Sequence, residues 1–321
     1  MLPDTLLGKP LNSGTMKRFN FTGMMAPTFA PFKSDGSLNL DVIPTYAKHL
    51  RKHGIKAVWV NGTAGEGMSM TVSERKQIAE AWMKCRDDIS TVIVQCEAGC
   101  FKNTTELIKH AVSIGVEGVA LLPNLFDKPK TTDDLVDYME EASKVCPNTP
   151  LFYYHIPMKT CVELSMSEFL EKGAKRILNL AGLKFTDTDV AGEGRKCVLA
   201  AGGTLTIFNG FDEKLQEAVS HGFNSAVGGT FSGFPTMASQ IFSFMKESND
   251  AEAKKVQEEL LIQVGAVFKQ SGGFTVASLK TATSLLTGID MGPTRFPVKP
   301  YTPAMVDRLR EDLRAVGLSV H

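Results

Sequence analysis

Short runs of apolar residues alternate along the chain with longer segments in which apolar positions recur every three or four residues. A run such as AVWV at 57–60 is typical of a strand that is buried on both faces. The segment 40–53 places Val42, Tyr46 and Leu50 on one face, which predicts an amphipathic helix. The predicted strands are 21–26, 57–60, 91–95, 118–122, 151–154, 178–184, 205–209 and 224–228. The predicted helices among them are 40–53, 73–83 (with a cap at Ser73), 104–114, 132–145, 165–173 and 212–221.

This alternation predicts the fold class. Eight evenly spaced apolar strands interspersed with helices favour an α/β fold, a (β/α)8 TIM barrel, with an open doubly wound sheet as the structural alternative. From residue 237 onward only helical patterns remain. We therefore expect a flexible N-terminal arm (1–19), a barrel catalytic domain (20–236) and a C-terminal helical extension packed on the barrel (237–321).

The charge balance narrows the class of partner. Lys and Arg together number 35, as do Asp and Glu, so the formal net charge is zero and neither nucleic acid nor an anionic membrane is an expected partner. No apolar run approaches the ~20 residues of a membrane helix, and residues 1–20 lack the apolar core of a signal peptide. We expect a cytoplasmic protein that acts on a small-molecule substrate.

Cysteine and histidine spacing gives no sign of a bound metal. The six cysteines form no CxxC pair and the six histidines show no ligand spacing with a carboxylate. We expect reduced thiols, no metal and no cofactor.

One lysine stands out at the end of a predicted strand. Lys184 follows the apolar stretch LNLAGL and precedes a polar turn, TDTD. Burial favours the neutral form of an amine, and only a neutral amine can attack a carbonyl to form a Schiff base. The alternative is a lysine that reaches the surface from the strand end.

Polar or glycine-rich segments follow other strands, at the end of the barrel where active sites lie. NGTAGEG after the second strand offers backbone N–H groups and the Thr63 hydroxyl to a carboxylate, or is only a tight turn. Tyr154 could pass a proton or could simply pack. Asp212 and Glu213 open a helix, where acids are favoured in any case.

The motifs GTAGE, YHIP and GLKFTDTD, in this order at three strand ends, resemble the class I pyruvate aldolase superfamily that contains dihydrodipicolinate synthase and N-acetylneuraminate lyase. The resemblance covers roughly residues 21–318. Within the superfamily, FNGFDE, YYHIP and MGPTRFP look most similar to the animal lyases of sialic acid.

The resemblance implies a reversible retro-aldol cleavage of N-acetylneuraminate, a sialic acid, to pyruvate and N-acetylmannosamine. Lys184 would form the imine, Tyr154 would carry the proton of the C4 hydroxyl, and Thr63 would contact Tyr154. The resemblance implies that the following residues bind the substrate: Ala64 at its carboxylate, and Thr186, Gly210, Asp212, Glu213 and Gly229 along the sugar. It also implies a homotetramer.

Three departures from the family pattern keep alternatives open. Ala64 replaces a second hydroxyl residue in the carboxylate loop, and Gly229 replaces a serine of the lyases. Lys159 stands where the lyases have an apolar residue and where the synthase has an arginine that binds a second carboxylate. The alternatives are therefore another 2-oxo acid aldolase with a more acidic substrate, and a catalytically inactive family member that acts as a binding protein.

Overall fold

Eight parallel strands close into a barrel in the computed structural model of the chain, which describes residues 19–321. Each strand pairs with the next one along the chain, and the last pairs with the first, where Gly23 lies opposite Ser225. The strands are β1 Gly23–Pro27, β2 Ala57–Val60, β3 Thr91–Gln95, β4 Gly118–Leu121, β5 Leu151–His155, β6 Leu180–Phe185, β7 Thr206–Asn209 and β8 Ser225–Val227.

Helices surround the barrel and continue beyond its last strand. Those that connect strands are α1 Ile43–Lys52, α2 Val72–Met83, α3 Phe101–Ser113, α4 Thr132–Ser143, the short α5 Pro157–Thr160, α6 Met166–Arg176, α7 Arg195–Gly203 and α8 Leu215–Ser220. Those after β8 are α9 Thr236–Lys246, α10 Asp250–Phe268, α11 Val276–Thr287 and α12 Pro303–Ala315. Within the described residues, no helix has the length and apolar character needed to cross a membrane.

The closed barrel confirms the predicted TIM fold and excludes the open sheet. The predicted arm lies outside the described residues except for Phe19, which packs edge-on against Phe152 in the barrel interior. The helices from α9 onward lie in the predicted extension; α10 contacts the end of the barrel, where Gln257 donates a hydrogen bond to the backbone oxygen of Asp212 (3.0 Å). The division of the chain at residue 236 stays a proposal.

Two local predictions were wrong. Helix α2 is capped by Thr71 rather than Ser73, because Thr71 and Glu74 have the spacing at which each side chain accepts a hydrogen bond from the other's backbone N–H. Leu178 does not belong to a buried strand, since it is 80% exposed in the turn before β6.

Helix α7 and the turn before it, Val190–Gly194, were not predicted from the sequence. Four glycines lie between residues 192 and 203, and the backbone of Ala200, Ala201 and Gly202 is not helical. The apolar spacing of this segment was therefore too weak to indicate a helix.

Large side chains fill the barrel interior below its carboxyl end. Trp59, Phe152 and Phe208 are buried there and contact one another through tilted or edge-on rings. A second core lies between the strands and the helices. Because the interior is packed, the open space for a ligand lies above these rings, at the carboxyl ends of the strands.

Candidate active site

One cavity at the carboxyl end of the barrel is lined by all nine residues predicted to be catalytic or to bind the substrate. They are Thr63, Ala64, Tyr154, Lys184, Thr186, Gly210, Asp212, Glu213 and Gly229. They come from the ends of five different strands, so the closure of the barrel is what assembles them. The cavity is also lined by Trp59, Lys159, Phe268, Phe274 and Leu279.

Lys184 lies on the floor of this cavity and is only 6% exposed. In the sheet it is the direct partner of Tyr154 on one side and of Phe208 on the other. Its Nζ atom is 4.3 Å from the centre of the Tyr154 ring and 5.8 Å from that of Trp59. The amine is thus held between aromatic faces and points into the cavity, rather than reaching the surface.

Tyr154 and Thr63 face each other across the same floor. The Thr63 Oγ1 and Tyr154 Oη atoms are 3.4 Å apart, and either hydroxyl can donate. This distance is long for a hydroxyl pair, as catalytic hydrogen bonds often are before a substrate binds. The two hydroxyls are therefore within reach of each other on the floor of the cavity.

The glycine-rich loop after β2 is fixed by a buried ion pair that the sequence analysis missed. Glu66 has a left-handed backbone (φ 50°), and its carboxylate accepts hydrogen bonds from Lys280 Nζ (2.9 Å) and from the backbone N–H of Arg295 (2.8 Å). A Cβ atom at Gly67 would lie 2.1 Å from the Asn61 oxygen, so the turn itself demands glycine there. The loop is therefore both a tight turn and a rigid wall of the cavity.

Lys280 comes from α11, in the part of the chain predicted to be an extension. Its Nζ also donates to the backbone oxygen of Pro293 (2.8 Å) and lies 4.3 Å from the centre of the Phe32 ring. Burial lowers the pKa of Lys280, while the Glu66 charge opposes that shift. In the sequence, Lys280 is the lone charged residue in the segment VASLKTATSLLT, and this was the signal that could have indicated its burial.

Asp212 is a buried acid on the opposite wall. Its Oδ2 accepts a hydrogen bond from the Thr230 N–H (2.9 Å), and its Oδ1 has no hydrogen-bond partner within residues 19–321. Burial raises the pKa of Asp212 from 3.8 to about 7, and the neighbouring charge of Glu213 adds to the rise. Oδ1 is therefore buried without a partner among the described residues, and the carboxyl group can act as donor or acceptor near neutral pH.

Two of the glycines provide space rather than contacts. A Cβ atom at Gly210 would lie 1.9 Å from Thr186 Oγ1, a buried hydroxyl with no partner in the described part of the chain. A Cβ atom at Gly229 would lie 2.8 Å from the Leu279 Cδ2 atom. A serine at position 229 would therefore require Leu279 to move. Leu279 belongs to α11, so the C-terminal helices limit the size of the side chain at position 229.

Lys159 lies at the mouth of the cavity, on the short helix α5. It is exposed, and its Nζ is 5.9 Å from the centre of the Phe274 ring. Across the described range it takes part in no ion pair with another side chain. Its charge is consequently free to meet a ligand that extends out of the cavity.

His155, which follows Tyr154, points to the other face of the sheet. It stacks on Phe185, and its Nε2 is 3.4 Å from Asp187 Oδ2. Burial lowers the pKa of His155, with Asp187 opposing the shift. Its surroundings are those of a packed side chain.

No cluster of three or more histidine, cysteine or acidic side chains suited to a metal ion is found between residues 19 and 321.

Comparisons with known proteins agree on one family. The profile of the "Dihydrodipicolinate synthetase family" matches residues 20–316. The chain is 33% identical over 296 residues to N-acetylneuraminate lyase of Homo sapiens, covering 92% of each chain. It is 34% identical over 278 residues to N-acetylneuraminate lyase A of Xenopus laevis, covering 86% of this chain and 90% of the other. The solved N-acetylneuraminate lyase (sialic acid aldolase) of Aliivibrio salmonicida superposes with a TM-score of 0.87 at 32% identity, covering 94% of this chain and 98% of that one.

Proposed function

Because the chain belongs to the dihydrodipicolinate synthetase family, as its motifs predicted, we propose that it is a carbon–carbon lyase that cleaves N-acetylneuraminate through an imine on Lys184. The products would be pyruvate and N-acetylmannosamine, and the reaction would be reversible. The observation that carries the proposal is the buried Lys184 amine beside the Tyr154 ring, with Thr63 within reach of the Tyr154 hydroxyl.

The reaction would begin at the ketone of the substrate. The neutral Lys184 amine adds to C2, water leaves, and the protonated imine becomes an electron sink. When the C3–C4 bond breaks, its electron pair moves towards the imine and forms an enamine. Tyr154 accepts the proton of the C4 hydroxyl as it passes its own hydroxyl proton to Thr63, which releases one to water in the cavity. Protonation at C3 and addition of water then release pyruvate and the free lysine. The chemistry needs no metal.

The walls of the cavity suit the two ends of a sialic acid. Thr63 and the backbone around Ala64 would bind the carboxylate, held in place by the Glu66–Lys280 pair. Asp212, Glu213 and Thr186 would bind the hydroxyls of the sugar chain, because carboxylates accept strong hydrogen bonds from hydroxyl groups. Gly210 and Gly229 would contribute through their backbones and the space they leave.

A second substrate class is favoured by the charge at the cavity mouth. Lys159 is exposed and forms no ion pair with another described residue, so a 2-oxo acid with an acidic far end would gain an opposite charge there. The chemistry at Lys184 would be unchanged. A catalytically inactive binding protein gains no support from the site, where a buried amine lies close to a pair of hydroxyls 3.4 Å apart.

The assembly and location follow the same reasoning. The family resemblance supports a homotetramer. The balanced charge supports small-molecule partners, with neither nucleic acid nor a membrane among them, and a cytoplasmic location is proposed with these partners. Sedimentation equilibrium would test the first proposal, since a monomer or dimer mass would contradict it. Fractionation of cells that produce the protein would test the second.

The deciding experiment traps the imine. The protein is incubated with N-acetylneuraminate and borohydride, digested and analysed by mass spectrometry, with Lys184→Met as the control that must stay unlabelled. A three-carbon pyruvyl adduct on Lys184 supports cleavage of sialate. Labelling by pyruvate but not by N-acetylneuraminate would refute the sialate assignment and leave the aldolase. A Lys184 that neither compound modifies would refute the catalytic role.

A further inference from the structure

Three buried polar side chains lie in a row that begins at the floor of the cavity, and the proposed reaction does not use them. Trp59, Gln95 and Glu97 are each at most 2% exposed. The Trp59 indole Nε1–H donates to Gln95 Oε1 (2.9 Å), and the Gln95 amide donates to Glu97 Oε1 (2.8 Å). Glu97 Oε2 accepts from the Leu122 N–H (3.2 Å). Every link of the row is therefore satisfied within the protein.

The backbone that carries this row is itself locked. Arg75, buried on α2, donates to the backbone oxygens of Gln95 (2.7 Å) and Glu97. Asn61, at the start of the glycine-rich loop, donates to the backbone oxygen of Arg75 (2.9 Å). Gln95 and Glu97 therefore cannot shift without disturbing the end of β3, and their side chains present a fixed acceptor to the indole.

The row ends at the reactive amine. Trp59 lines the cavity, and the centre of its ring is 5.8 Å from Lys184 Nζ and 6.0 Å from the centre of the Tyr154 ring. A Cβ atom at Gly62 would lie 3.0 Å from Gln95 Oε1 and 3.1 Å from Trp59 Cδ1. Gly62, in the glycine-rich loop after β2, thus leaves room for the hydrogen-bonded side chains of Trp59 and Gln95. The hydrogen bond to Gln95 determines which way the indole plane faces.

We propose that Trp59 is a further catalytic residue, whose ring stabilises the positive charge on the Lys184 nitrogen, and that Gln95 and Glu97 are positioning residues that hold its plane. The inference rests on the proposed imine chemistry. Condensation of the neutral amine with the C2 ketone expels one water molecule and takes up one proton, which leaves a cation at Nζ. An indole face is the strongest aromatic partner for a cation, and its effect is largest where water is excluded.

The test measures the rate at which pyruvate and borohydride label Lys184, because that reaction needs the iminium but not the sugar. Trp59→Leu removes the ring face and is expected to slow labelling on the order of tenfold. Trp59→Phe keeps a ring face and is expected to restore part of that rate. Ile93→Val, a buried change in the same barrel interior, is the control for core disturbance and is expected to label like the unmodified protein.

A double-mutant comparison separates positioning from simple support of the fold. Gln95→Met is expected to slow labelling several-fold in the unmodified protein and to add nothing in the Trp59→Leu background, because Gln95 acts through the indole. An equal slowing in both backgrounds would overturn the positioning role. A Trp59→Leu rate within twofold of the Ile93→Val rate would overturn the catalytic role of Trp59.

The two proposals fail in distinguishable ways. If pyruvate does not label the unmodified protein at all, the imine chemistry itself is refuted, and this inference with it. If the unmodified protein is labelled and the tryptophan variants are labelled equally fast, only this inference is refuted. Thermal unfolding of each variant confirms that the labelled protein is folded, and Trp59→Phe keeps the test decisive should Trp59→Leu fail to fold.

Discussion

The floor of the cavity and its mouth are built in opposite ways. On the floor, Lys184 is 6% exposed and Glu66 is held by a buried ion pair to a distant helix. At the mouth, Met158 is 63% exposed, Phe274 is 43% exposed, and Lys159 forms no ion pair with any other described side chain. In the proposed reaction the floor determines which bond is broken, since reacting groups must be held in place. The mouth can change which substrate is accepted without disturbing that chemistry.

The largest effect on the reaction should come from removing the Tyr154 hydroxyl on the floor of the cavity. Tyr154→Phe is expected to lower kcat for sialate cleavage by about 10²- to 10⁴-fold, because the proton of the C4 hydroxyl loses its carrier. Labelling of Lys184 by pyruvate and borohydride should persist. Tyr153→Phe is the matched control, since its hydroxyl is buried on the other face of the strand. Equal activity of the two variants would remove Tyr154 from the mechanism.

The next largest effect concerns the ion pair between Glu66 and Lys280, which anchors the glycine-rich loop after β2. Lys280→Met leaves the Glu66 charge buried without its partner and is expected to cost about 3–5 kcal/mol of unfolding free energy, measured by urea denaturation. Adding Glu66→Gln should recover part of the loss. Lys144→Met, at an exposed pair, should leave the stability unchanged. A Lys280→Met protein as stable as this control would show that the loop does not depend on the pair.

The pH dependence of the unfolding free energy should reveal the buried acid Asp212 on the cavity wall. Because the pKa of Asp212 is about 7 in the folded chain and 3.8 ordinarily, the folded state binds more protons than the unfolded state between these values. The contribution of Asp212 is therefore present below about pH 4 and is lost as the pH rises towards 7.

Asp212→Asn should remove that fall, so that the difference in unfolding free energy between pH 4.5 and pH 7.5 becomes smaller by a few kcal/mol. Asp307→Asn, at an exposed aspartate, should leave the difference as it is. Two equal pH profiles for Asp212→Asn and the unmodified protein would contradict the raised pKa.

The smallest effect on the reaction itself should come from a substitution at Lys159, at the mouth of the cavity. Lys159→Met is expected to leave the pyruvate labelling of Lys184 unchanged and, for N-acetylneuraminate, to keep or improve kcat/KM. If the natural substrate carries a distal acid, the same change should raise the KM for that substrate on the order of tenfold or more. Steady-state kinetics with both substrate classes decides between them. A loss of pyruvate labelling would show that the mouth and the floor are not separable.

The sequence alone determined the barrel and the residues around its reactive end. Alternating apolar runs and helical segments depend on neighbouring residues, so they can be recognised locally, and in a parallel barrel all carboxyl ends meet at one rim. Residues at or just after the carboxyl ends of different strands, such as Thr63, Tyr154 and Lys184, must therefore lie together once the sheet closes. The nine expected residues indeed share one cavity.

Only the tertiary structure decided how those residues are held and charged. Glu66 and Lys280 are 214 residues apart in the chain, and no local pattern joins them. The raised pKa of Asp212 results from burial, which depends on the loops and helices that cover it. The exposure of Leu178 and the row from Trp59 through Gln95 to Glu97 likewise depend on register and packing. Desolvation and long-range contacts arise from the folded chain as a whole, so a linear sequence carries them only implicitly.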